Sequence, residues 1–132
     1  MNVLIYEKPH TAWANQFVQS LQRASDDENS PYHIIETDKL PAVDFVVIDL
    51  NSRSIADAQM TLHKLRADFP RSGIVSICED DQIEATAHEL GVYNAYSGMI
   101  MHTLIWPRFS HRFLQAAEVA TRDYLKTNGH QS

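Results

Sequence analysis

Asp49 is the residue best placed to do chemistry in this chain. It closes Phe45-Val-Val-Ile-Asp49, the most apolar strand-like run in the sequence, with Leu50 and Asn51 following. A β-branched run of this kind reads as a strand covered on both faces. An acid at its carboxyl end points into the crevice where open α/β sheets place their sites. The alternative is a solvated acid that caps the following turn. Cys78 is the only thiol. Glu79 and Asp80 follow it and would raise its pKa, so a small buried apolar residue is a better reading than a nucleophile. The seven histidines, His10, His33, His63, His88, His102, His111 and His130, include no i, i+4 pair, and there is no Cys-x-x-Cys. That argues against a zinc site. No Gly-rich loop follows the first strand, so no dinucleotide or phosphate-loop fingerprint is present.

The elements that must hold Asp49 alternate regularly. Asn2–Tyr6 reads as a first strand. Trp13, Phe17 and Leu21 recur at i, i+4, i+8 and predict a helix over about Thr11–Ala24. Ser25–Pro31 is a polar, acidic loop, and Tyr32–Thr37 is a short second strand. After the Asp49 strand, Ser54 is a helix N-cap. Ala58, Leu62, Leu65 and Phe69 mark one face of that helix, and Pro70 ends it. Gly73–Cys78 is the fourth strand. Glu79, Asp80 and Asp81 favour the start of the next helix, whose inner face is Ile83, Ala87 and Leu90, with Gly91 as its C-terminal cap. Val92–Ile100 holds the fifth strand. Pro107 suits a first turn, and Phe109, Phe113, Ala117, Ala120 and Tyr124 define a last helix. Residues 1–126 form one domain, and 127–132 a flexible tail.

Strand and helix in alternation imply a parallel sheet covered on both faces. One connection is too short. Between Thr37 and Asp44 there is no room for the ~10–12 residues of a parallel crossover. Either the second helix is reduced to a turn near Asp38–Leu40, or Tyr32–Thr37 is an irregular edge.

The bulk properties narrow the function. A chain of 132 residues makes one domain with a proper core. The formal net charge of −6 argues against a nucleic-acid partner and against anionic membranes. One cysteine excludes an intrachain disulfide and fits a reducing compartment. No apolar run approaches the ~20 residues of a membrane helix, and Met1 leads directly into a strand pattern. A cytoplasmic protein is the expectation.

Four stretches carry a family resemblance: Asn2-Val-Leu-Ile-Tyr-Glu-Lys-Pro-His10, Phe45-Val-Val-Ile-Asp-Leu-Asn51, Leu65-Arg-Ala-Asp-Phe-Pro70 and Leu90-Gly-Val-Tyr-Asn-Ala-Tyr96. In order and spacing they resemble the receiver domain of bacterial two-component response regulators, over about residues 2–126. The resemblance implies a flavodoxin-like (CheY-like) five-stranded sheet in the order 2-1-3-4-5. It also implies a site in which paired carboxylates and a phosphoacceptor aspartate hold Mg²⁺, with a hydroxyl and a lysine binding the phosphoryl oxygens.

This sequence keeps part of that set. Asp49 matches the acceptor, and Asn51 the position whose carbonyl reaches the metal. The acidic pair is reduced to Glu7, with Tyr6 at its first position. An ungapped alignment moves the pair to Glu7 and Lys8, again with one acid. Cys78 stands at the Ser/Thr switch position, with Ser76 as a nearby substitute. Gly98 stands at the lysine position, and Arg53 replaces the proline expected after the acceptor. Arg53 or Lys8 is expected to pair with Asp49 in place of the metal or the missing lysine. Loss of a carboxylate weakens metal binding, and loss of the lysine removes a charge-assisted bond of ~1.5–3 kcal/mol.

The expectation is therefore a stand-alone degenerate receiver, a pseudo-receiver. It is not an enzyme, needs no cofactor, and acts in signal transduction by phosphorylation-independent contact. Its partner would be a signalling protein such as a histidine kinase or another regulator, or a second copy. The aromatic and Met-rich segment Met99–Phe109 supplies the expected partner surface through Met99, Met101, Trp106 and Phe109, unless these side chains simply close the core. One alternative is an active phosphoacceptor using Asp49, Glu7, Asn51 and weakly held Mg²⁺. The other is a small-molecule-binding flavodoxin-like module.

Overall fold

Five parallel strands form one sheet in the order β2-β1-β3-β4-β5. The computed structural model describes residues 1–7, 12–27, 29–35, 42–51, 53–96 and 110–128. The elements run β1 (Asn2–Tyr6), α1 (Ala12–Ser25), β2 (His33–Ile35), β3 (Phe45–Asp49), α2 (Ile55–Asp68), β4 (Gly73–Ile77), α3 (Asp81–Glu89), β5 (Tyr93–Ala95) and α4 (Ser110–Asn128). The alternation predicted a parallel α/β sheet, and the order is the flavodoxin-like one that the resemblance implied.

The side-chain period of two divides the core. Val3, Phe45, Val47, Val75 and Ile77 project to one face, where Phe17 and Leu21 of α1 meet Phe113, Leu114 and Ala117 of α4. The Phe17 and Phe113 rings are 5.1 Å apart and tie these two helices together. Val46, Ile48 and Ile74 project to the other face, against Leu62 and Leu65 of α2 and Ile83 and Ala87 of α3. β3 and β4 are buried along their whole length, as central strands covered on both sides must be.

Local signals set the helix ends. Ser54 accepts from the backbone N–H of Asp57 (3.2 Å) and starts α2. Asp80 accepts from Gln82 (2.8 Å) and Ile83 (3.2 Å) and starts α3. After α3 the Gly91 N–H bonds to the His88 carbonyl and the Val92 N–H to that of Ala87, while Gly91 takes a left-handed φ of 67°. That is a Schellman ending, which favours glycine at this position. A Cβ there would meet the Tyr124 Cβ at 2.4 Å, so glycine is also required for close packing of α4.

Several boundaries differ from the sequence reading. β2 has three residues and is half-exposed, and the described part of its connection to β3, residues 42–44, is not helical. β5 spans only Tyr93–Ala95, without Val92 and Tyr96 of the expected strand. The reduced second helix near Asp38–Leu40, the end of β2 at Thr37, residues 97–100 of the expected fifth strand and Pro107 lie outside the described residues, as does the Trp13 side chain. Helix α4 continues through Asn128, so the helix includes Thr127, which the reading gave to the tail. Among the described residues, no helix is long and apolar enough to cross a membrane.

Candidate functional site

The strand order reverses between β1 and β3, and the carboxyl ends of these strands flank the crevice of such a sheet. Glu7 follows β1, Asp49 ends β3, and Asn51 and Arg53 lie on the chain leading into α2. The fold thus brings the predicted residues Glu7, Asp49 and Asn51 to one edge.

Asp49 is 5% exposed, which corrects the expectation of a solvated acid. Its Oδ1 accepts from the Asn51 backbone N–H (3.0 Å) and from Asn51 Nδ2 (2.8 Å). The same amide donates to the Ile77 carbonyl (3.2 Å) and so links the ends of β3 and β4. Asp49 therefore caps the turn after its own strand, which the sequence reading did anticipate.

Arg53 departs from expectation. It donates to Glu7 and to Asp57 (3.3 Å) and Thr61 (3.1 Å), rather than to Asp49. The hydrogen bond to Glu7 raises the Arg53 pKa, against the lowering effect of its burial. Glu7 is half-exposed, and exposed ion pairs contribute ~0.2–1 kcal/mol. The pair fixes position more than it stabilises. Glu7 also has a left-handed backbone, φ 64°, which costs ~1–3 kcal/mol in a residue other than glycine and is held by its surroundings. Lys8, the other proposed counter-ion of Asp49, lies outside the described residues.

At the end of β4, Cys78 is buried in the core cluster of α2 and α3, as its apolar reading required. Burial pushes its thiol pKa up. Ser76 cannot substitute as an edge hydroxyl. It lies inside the sheet, opposite Asn94 in the register, and donates to Asn94 Oδ1 (2.8 Å), while Asn94 Nδ2 donates to the Cys78 carbonyl (3.0 Å). Gly98 lies outside the described residues.

The described groups are not gathered as ligands of a magnesium ion. A hard cation needs converging oxygen ligands. Here a guanidinium engages Glu7, and Asn51 turns two N–H donors onto Asp49 Oδ1. Among the described residues, no three His, Cys, Asp or Glu side chains are placed to hold a metal.

The expected partner residues Met99, Met101, Trp106 and Phe109 lie outside the described residues. Among the described residues, a groove of about 830 Å³ lies between α3, β5 and α4. Ala116, Val119, Ala120, Asp123, Tyr124 and Thr127 of α4 form one wall, at helical spacing. Glu84, His88 and Glu89 of α3 form the other, with Val92, Tyr93 and Asn94 between them. Val119 is 52% and Tyr96 43% exposed, so apolar surface here faces water. The sequence reading placed Ala120 and Tyr124 on the buried stripe of Phe113 and Ala117. The usable signal was a second stripe on the same helix, carrying Val119.

Arg66 was also missed as a structural centre. It is 5% exposed and fans its donors to the carbonyls of Leu90 (2.8 Å), Ser72 (2.9 Å), Gly91 (3.1 Å) and Phe69 (3.2 Å), and to Thr121 Oγ1 (3.1 Å). Its guanidinium lies 5.4 Å from the Tyr124 ring centre. Burial lowers its pKa. Carbonyls at the ends of α2 and α3, where helix dipoles are negative, surround the charge. Arg66 thereby ties both walls of the groove together from behind.

No protein-family model and no curated protein matches this sequence.

Proposed function

We propose that this chain is a degenerate receiver domain of bacterial signal transduction, acting by contact with a partner protein and without a phosphoryl switch. The observation that carries the reading is the internal satisfaction of its strand-edge acids. Glu7 is held by Arg53, and Asp49 by the backbone and side-chain N–H groups of Asn51. A phosphoacceptor needs metal and cationic groups poised for an incoming phosphoryl. At this edge the described donors instead engage Glu7 and Asp49 Oδ1.

The groove beside β5 supports contact as the mode of action, because binding sites favour concave surfaces with apolar walls and a few polar groups. On this reading the domain catalyses nothing, works in the cytoplasm, and passes its output through a signalling partner such as a histidine kinase or another regulator.

Incubation with acetyl phosphate and Mg²⁺, followed by intact-mass measurement, tests the absence of a phosphoryl switch. The expected mass is unchanged. A gain of one phosphoryl group that disappears in Asp49→Asn would sink the proposal and establish an active acceptor.

A further inference from the structure

We infer that the groove between α3, β5 and α4 seats a cationic amphipathic helix of another protein, and does not pair with a second copy of this chain. The inference rests on the partner-contact reading above and specifies the partner's chemistry.

Shape favours a helix. Two helices flank an edge strand of only three residues, Tyr93–Ala95. Such a strand offers too short a ladder for an added strand, whose affinity comes from main-chain bonds. Asn94 is further committed inward, to Ser76 and to the Cys78 carbonyl. What remains available is the side-chain surface of the two walls. A third helix with apolar residues at i, i+3, i+4 and i+7 matches a surface of that kind. Val119, at 52% exposure, and the half-buried Tyr93 and Tyr124 supply its apolar contacts.

Charge selects the sign. Glu84, Glu89 and Asp123 line the groove, and among the described residues lining it no Lys or Arg is present. The chain as a whole carries −6. A two-fold pairing of copies would place the same acidic patch against itself. Like charges juxtaposed across an interface are unfavourable, whereas a basic helix gains both steering and register.

The test uses the full chain and three synthetic helical peptides of about five turns each. The first is a Leu/Lys peptide with leucines along one face. The second replaces its lysines with glutamates. The third keeps the Leu/Lys composition but disperses the leucines around the helix. Amide chemical-shift mapping and titration give site and affinity. The expected result is binding of the first peptide, with shifts at Val92, Tyr93, Val119 and Tyr124. The other two should bind at least tenfold more weakly. The combined variant Glu84→Gln, Glu89→Gln, Asp123→Asn should also weaken the first peptide at least tenfold, and Val119→Ser, which removes apolar contact without changing charge, should weaken it while its spectrum stays folded.

Equal binding of the Leu/Glu helix in the groove would overturn the charge inference and leave the partner-face reading standing. Self-association of the free chain through these residues would do the same. Shifts from all three peptides confined to other surfaces, or no binding at millimolar peptide, would overturn the inference together with the assignment of this face.

Discussion

Methionine in place of Arg66 should destabilise the fold by roughly 3–5 kcal/mol. The side chain donates to four carbonyls within 3.2 Å, those of Leu90, Ser72, Gly91 and Phe69. Methionine retains the apolar stem and removes every donor. The Phe69 carbonyl keeps the Ser72 N–H (3.3 Å). A buried acceptor left dry costs ~1–3 kcal/mol, so the other three give a gross loss of ~3–9 kcal/mol. Two effects reduce it. The Thr121 hydroxyl lies 3.3 and 3.4 Å from the Ser72 and Gly91 carbonyls and can serve one of them. The desolvation penalty of the buried guanidinium also disappears. The net is a fifth or more of the ~5–15 kcal/mol that holds a typical domain. Urea unfolding followed by circular dichroism reads it. With a slope of ~1–3 kcal/mol per molar urea, the midpoint should fall by about 1–5 M. Arg66→Lys, which keeps the charge but cannot fan donors to both helix ends, should fall between. A methionine variant within ~0.3 M of wild type would refute the view that these turns depend on Arg66.

Gly91→Ala should lose ~2–4 kcal/mol, combining the left-handed φ of 67° with the close Tyr124 Cβ, and its thermal midpoint measures that. Asp80→Ala removes the acceptor for two N–H groups of α3 and should lose ~0.5–2 kcal/mol in the same assay. Stability should also decline in alkali. Burial raises Cys78 from 9.0, and Tyr32 and Tyr93 from 10.0, so the folded state holds these protons more tightly than the unfolded chain. Their contribution is complete below the ordinary values and is lost as pH climbs from those values toward the folded ones. Urea midpoints should fall above pH about 9, and Cys78→Ala should flatten the first part of the fall. A midpoint that rises over this range would contradict the burial of these groups.

Local patterns carried the architecture. The runs that became β3 and β4 were legible because a strand covered on both faces needs no alternation. Ser54, Asp80 and Gly91 were legible because capping depends on neighbours a few residues away. Non-local facts were not. Arg53 finds Glu7 across 46 positions, and nothing near either residue marks the pairing. The burial of Asp49 depends on the fold around the strand edge, so a strand-end acid read as solvated. Arg66 looked like an ordinary helix-end cation, because its partners come from turns that only the tertiary structure assembles. In α4, the buried stripe of Phe113 and Ala117 drew attention from the exposed Val119. The strand pattern put Glu7, Asp49 and Asn51 at one sheet edge, where the structure also has them, while the bonds that engage them required the structure.

The central claim is that the Asp49 edge no longer switches the partner face. The most direct measurement is an amide NMR titration with Mg²⁺ and then beryllofluoride, a phosphoryl mimic, on wild type and Asp49→Asn. The account predicts that Glu7, Asp49 and Asn51 stay in place at millimolar Mg²⁺, and that the α4 amides do not respond to the mimic. Shifts at those three residues that spread to Val119 and Tyr124, and vanish in Asp49→Asn, would contradict it.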